Sequence, residues 1–168
     1  MTQTQGHVQP TNIAIDERNR QAVGDILNRA LADESVLYTK TRKYHWNVTG
    51  RLFYSLHKLL EEQYTALAES IDEVAERARI LGVPAIGTMQ EFLECATLKE
   101  KPGDYPDAET MIRDLVADHE QIIRNLRGFV DATAEQYHDT GTSDFLTAKM
   151  EEHEKMAWML RSFLEEHA

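Results

Sequence analysis

The sequence contains one cysteine, Cys95, and only four prolines and eight glycines in 168 residues. A single thiol excludes an intrachain disulfide and any zinc site built mainly of thiolates. A reducing, cytoplasmic setting fits that usage. Few helix breakers leave long uninterrupted stretches, which is what long helices require. No apolar run approaches the ~20 residues a membrane span needs. The opening MTQTQGHVQPTN has neither the basic segment nor the apolar core of a secretory signal. Basic residues are also in deficit, with 18 Lys and Arg against 29 Asp and Glu, for a formal net charge of −11. Such a chain attracts cations and opposes nucleic acid. What is present is 42% hydrophobic and 28% charged residues, the composition of a globular chain long enough for one domain with a sizeable core.

Apolar periodicity divides the chain. Residues 1–15 read as a flexible tail carrying a lone His7, and 16–168 as one domain. From 17 to about 48, Val23, Ile26, Leu27, Ala30, Leu31, Leu37, Tyr38 and Tyr44 follow the i, i+3, i+4, i+7 rule of a helix, which Gly50 ends. A second helix runs from about 53 to 81 with Leu56, Leu60, Leu67, Ile71, Val74 and Ala78 on its stripe, and Gly82-Val83-Pro84 stops it. The link 83–106 is long, so a short helix is expected inside it, with Thr88 as N-cap. Pro106-Asp107 opens a third helix ending near His138. DTGTSD is then a turn, and a fourth helix carries Phe145 through Leu164. The fold class is all-α: a ferritin-like four-helix bundle with a short extra helix in the long middle connection.

A bundle di-iron site of the usual kind needs Glu-x-x-His on two helices. Only one such pair exists, Glu135 and His138, so that site is not expected. The second helix offers something else. On a wheel of roughly 100° per residue with His57 at zero, Glu61 falls near ~40°, Asp72 near ~60° and Glu76 near ~100°. The apolar stripe is centred near roughly −75°, so all four face away from their own core. The 57/61 pair and the 72/76 pair lie ~22 Å apart along the axis and cannot share one metal pair within a chain. An antiparallel copy of the helix, crossing near Ala66 and Leu67, brings one pair opposite the other, as a twofold interface does. Thr65 and Ala68 are small enough for close approach, and His45 can join the 57/61 half. Imidazole and carboxylate together suit iron, and two irons can deliver two electrons to peroxide at once. Trp46 and Tyr44 can act as a hydrophobic wall or as electron donors. A helix surface with His and carboxylates at i+4 spacing is ordinarily only solvated. Here the distinguishing feature is two separated pairs on one non-core face.

HWNVTGRLFYSLH (45–57), DEVAER (72–77) with LG just after it, and HEKMAWMLR (153–161) resemble the Dps family, the DNA-protecting mini-ferritins of starved bacteria. The resemblance spans roughly 19–166. It implies a dodecameric hollow shell with ferroxidase sites at twofold interfaces. There Fe2+ is oxidised to Fe3+, preferentially by hydrogen peroxide, and ferric mineral is stored inside. Its ligand pattern maps onto His45, His57, Glu61, Asp72 and Glu76, with Trp46 adjacent; Glu61 stands where the family often has Asp. It also implies a threefold pore lined by acidic groups, for which Asp139 and Asp144 are candidates. The alternative for Asp144 is that it favours the positive end of the fourth helix. Some members compact DNA through a lysine-rich tail. Here the first 17 residues contain no Lys or Arg, and the end FLEEHA is acidic, so DNA binding is not expected. His119 and His153 are read as hydrogen-bonded core histidines, Trp158 as in or near the core, and Cys95 as a small buried hydrophobe.

Overall fold

A computed structural model describes residues 10–165, and the expected tail segment 1–9 with His7, like residues 166–168, lies outside them. The described residues form five α-helices and one π-helical turn, with no strand. They are α1 (Glu17–Asn47), α2 (Phe53–Ile80), α3 (Met89–Cys95), α4 (Ala108–Asp131), the π-helix Ala132–Gln136, and α5 (Thr140–Arg161).

The expected starts and stops have identifiable causes. Asp16 accepts the Asn19 amide and caps α1, and Asp107 does the same for α4 through Thr110. Thr88 and Glu91 form a reciprocal capping box at α3. Gly50 and Gly82 take the left-handed conformation, at φ 88° and 82°, that lets the chain leave α1 and α2. The four long helices form two antiparallel hairpins, α1 with α2 and α4 with α5. Lys40 reaches Asp118 and Tyr44 reaches Asp114, so α4 also runs antiparallel to α1.

The long connection returns along α1 and is fastened to it at intervals. Arg20 donates to the Leu81 carbonyl at 2.9 Å. Asn28 donates to the Pro84 carbonyl and accepts the Ile86 amide. Asp33 accepts the Thr97 and Leu98 amides, and Lys43 donates to the Lys101 carbonyl. Gly24 permits the return, because a Cβ there would stand 2.4 Å from Val83 Cγ1. The core is otherwise aliphatic: Leu27, Leu31, Leu37, Leu56, Leu60, Leu67, Ile112, Leu115 and Ile122 are fully buried.

Four expectations are corrected. The third helix does not stay α-helical to His138: it stops at Asp131, a π-helix follows, and His138 turns the chain at φ 57°. DTGTSD is not a turn. Asp139 is the N-cap, and Thr140 already opens α5. Trp158 is 61% exposed because its helix faces solvent there. Cys95 is exposed at the end of α3, a helix with no buried residue.

Candidate metal centre

The turn 48–52 between α1 and α2 sets two imidazoles face to face. His45 and His57 stack with ring centroids 3.8 Å apart and 20° between planes. Each ring Nδ1 lies 2.9 Å from the other residue's backbone carbonyl. A carbonyl only accepts, so each Nδ1 carries a proton, and Nε2 is the nitrogen through which a neutral ring would bind a metal. The bond to the His45 carbonyl also satisfies an acceptor in the last turn of α1. The same two hydrogen bonds thus close the turn and orient both rings.

Glu61 lies one turn further along α2, half-exposed. Lys58 donates to it at 2.9 Å and holds its carboxyl below the usual carboxylate range, and the two histidines act in the same direction more weakly. Asp72 and Glu76 are exposed on the same helix, as are Thr65 and Ala68 between the pairs. The structure therefore brings together His45 and His57, places Glu61 one turn further along α2, and leaves Asp72 and Glu76 more than two turns beyond. Among the described residues, no three His, Cys, Asp or Glu side chains of one chain converge as a complete metal site.

The aromatic surroundings differ from the expected ones. Trp46 is 64% exposed with the Arg42 guanidinium 4.9 Å over its ring. Tyr44 points into the α1–α4 interface, where it donates to Asp114, and burial with that bond pushes its pKa well above the ordinary value. The rings that touch the histidines are Tyr64, edge-on to His45 at 5.2 Å, and Phe53, 5.1 Å from His57. Both were missed in the sequence reading. Both fall within ~40° of His57 on the helical wheel, which is the signal that could have found them.

The acidic candidates near α5 separate. Asp139 is 3% exposed, caps α5 through the Thr142 amide at 2.9 Å, and pairs with Arg77 at 3.3 Å. Its carboxylate is committed to the fold. Asp144 is exposed, past the first turn of α5, where the helix dipole has largely decayed. The capping role offered for Asp144 belongs to Asp139.

Residues 24–168 match the ferritin-like domain family. A DNA protection during starvation protein 2 from Bacillus anthracis is 40% identical over 147 residues, covering 87% of this chain and 98% of that one. The chain belongs to the Dps family. An uncharacterized low temperature-induced protein from Nostoc sp. is 55% identical over 154 residues, covering 92% of this chain and 86% of its own length. Among solved structures, the Dps protein from Vibrio cholerae O1, a member of a broad superfamily of ferritin-like diiron-carboxylate proteins, superposes with a TM-score of 0.86. It shares 33% identity and covers 95% of this chain and 100% of its own. The chain is thus a Dps-type mini-ferritin. No helix among the described residues is long and apolar enough to cross a membrane.

Proposed function

We propose that this Dps-family protein is a ferroxidase that oxidises Fe2+, preferentially with hydrogen peroxide, at sites shared between two chains, and stores the ferric product in a dodecameric shell. The observation that carries the reading is the locked His45–His57 pair. It leaves two imidazoles side by side, with Glu61 one turn further along α2 and no group of three such side chains converging among the described residues. Asp72 and Glu76 of a second, antiparallel copy complete the set. Exposed Thr65 and Ala68 let the helices approach, and exposed Phe53, Tyr54 and Trp46 supply apolar surface for such a contact.

Iron is the substrate here. Two Fe2+ ions give up one electron each, peroxide accepts both, its O–O bond breaks, and with two protons two waters form. No hydroxyl radical is released, because neither electron is delivered alone. The histidines bind the ferrous ions, the carboxylates favour the ferric product, and Tyr64 and Phe53 shield the imidazoles. Lys58 must release Glu61 as iron arrives, so Lys58→Met is a simple modulator of iron affinity. The test is the rise in ferric absorbance after anaerobic addition of Fe2+, comparing equal oxidising equivalents of peroxide and oxygen. A faster rise with peroxide is expected. No catalysed rise with either oxidant overturns the reading.

The alternative role, compaction of DNA as a nucleoid-associated protein, lacks its usual electrostatic basis. Phosphate binding depends on Lys and Arg, and the chain carries −11 net charge with no Lys or Arg before Arg18. Intact shells are expected to leave plasmid migration unchanged at about 150 mM salt with metal chelated, conditions under which weak charge contacts are screened. Retardation in that gel would establish DNA binding.

Asp144 is proposed to line a threefold pore. Three copies around one channel would focus a negative potential and raise local Fe2+. Asp144→Asn is expected to slow the initial rate severalfold at limiting iron and leave saturating rate and assembly intact. An unchanged rate at limiting iron removes Asp144 from the path.

A further inference from the structure

A second group of ionisable side chains lies inside the bundle, apart from the histidine pair at the α1–α2 turn. Glu34 of α1 is 0% exposed, and neither carboxylate oxygen has a hydrogen-bond partner. His119 of α4 and His153 of α5 are equally inaccessible, at 0% and 2%. Their rings share one hydrogen bond, Nδ1 to Nδ1 at 2.9 Å. His153 Nε2 stands 3.6 Å from Glu34 Oε1. From α2, Gln63 donates its amide to the Met156 carbonyl, one turn past His153, and its buried Oε1 is unpartnered.

We propose that Glu34 and His153 bind a divalent first-row metal ion inside each bundle, with His119 fixing the His153 ring.

Three observations converge. A buried, ionised carboxylate without compensation costs several kcal/mol. Among the described residues Glu34 has no Lys or Arg partner, only His153. The separation is the second. At 3.6 Å the pair is too far apart for an N–H···O hydrogen bond. Two ligands each ~2.1 Å from one tetrahedral ion lie about 3.4 Å apart. The third is the tautomer. A metal on His153 Nε2 requires a proton on Nδ1, and the group facing that proton is His119 Nδ1. His119 protonated on Nε2 offers its Nδ1 lone pair to that proton. Metal-bound histidines are ordinarily oriented by such a bond from the other ring nitrogen. Without an ion the alternative tautomer directs His153 Nε2–H at Glu34 from too far to bond, and both carboxylate oxygens stay unsatisfied.

The donor set is two carboxylate oxygens and one imidazole nitrogen, drawn from different helices. It is unrelated to the Glu135/His138 spacing. Such mixed donors suit Zn2+, Fe2+ or Co2+. The proposal does not depend on ferroxidase activity, and its test removes that site first.

Shells carrying His57→Ala and Asp72→Ala are loaded with Co2+ and dialysed. About one Co2+ per chain is expected to remain, with the visible bands of a four- or five-coordinate ion. Glu34→Gln, which preserves shape, and separately His153→Gln, are each expected to remove both the retained metal and the bands. His119→Gln should weaken retention roughly 10- to 100-fold, as loss of an orienting partner does. Added Co2+ should raise the melting temperature of the parent shells and not of the Glu34→Gln shells. Retention well below one ion per chain overturns the site. So does retention that survives in whichever of the Glu34 and His153 variants assembles; Glu34 is then only a buried neighbour of His153.

Discussion

Asp33→Ala is expected to destabilise the chain by about 3–5 kcal/mol, a large part of the 5–15 kcal/mol typical of a folded domain. Asp33 is 1% exposed. Its carboxylate accepts the Thr97 amide at 2.6 Å, the Leu98 amide at 3.1 Å, the Thr97 hydroxyl at 2.9 Å and the Asn125 side-chain amide at 3.0 Å. One buried group therefore ties α1 to α4 and pins the connection that follows α3. Truncation leaves two backbone N–H groups without their acceptor, each costing roughly 1–3 kcal/mol. Asp33→Asn keeps one acceptor oxygen, and about half of the loss is expected. Thermal melts at fixed shell concentration measure this, since assembly shifts apparent stability. A drop of roughly 10 °C is expected for Asp33→Ala. Hydrogen exchange adds a local readout: the Thr97 and Leu98 amides should lose protection in Asp33→Asn before the α2 core does. A melting temperature within about 2 °C of the parent would remove Asp33 from the frame of the fold.

Asp33 also shows where the sequence stopped being legible. Helical periodicity in α1 picks out Val23, Leu27, Leu31 and Leu37, which are buried. On the α1 wheel Glu34 falls near the centre of that stripe and Asp33 and Ser35 roughly 100° off it, yet every residue from 30 to 37 is buried. The outer side of the helix is covered by the return of the long connection, and a one-dimensional pattern carries no record of that cover. Helix ends were legible because their causes are local: Gly50, Gly82, the Thr88–Glu91 box and the Asp107 cap each act within four residues. The π-helix at 132–136 was not, since ATAEQ contains no glycine or proline to mark it. Trp158 misled because an aromatic residue beside an apolar stripe reads as core, while the packing of α5 leaves it outside. For the candidate centre, the wheel separated His57, Glu61, Asp72 and Glu76 from the core by angle alone. It could not show that His45 and His57 lock each other through their backbones, because that contact depends on the path of the five residues between α1 and α2.

Mixed shells built from two inactive variants are expected to recover about a quarter of the parent ferroxidase rate, because the proposed site is divided between chains. One variant carries His57→Ala and the other Asp72→Ala. Each removes a direct ligand from every site, so each alone should fall at least tenfold to a hundredfold, the range already seen for outer-shell partners. When equal amounts are dissociated and reassembled, about half of the twofold pairs contain one of each. Such a pair has one site with both lesions and one with neither. Half of the sites in half of the pairs are then whole. The geometry requires this outcome if the reading is right: His45, His57 and Glu61 stand at one end of α2, and ~22 Å of helix separates them from Asp72 and Glu76. A centre completed within one chain would be damaged in every subunit, and mixing would restore nothing. Differential mass tags on the two variants verify that mixed pairs form. Verified mixed pairs with no recovered rate would falsify the shared centre, and the outward-facing Asp72 and Glu76 would then be ordinary solvated carboxylates.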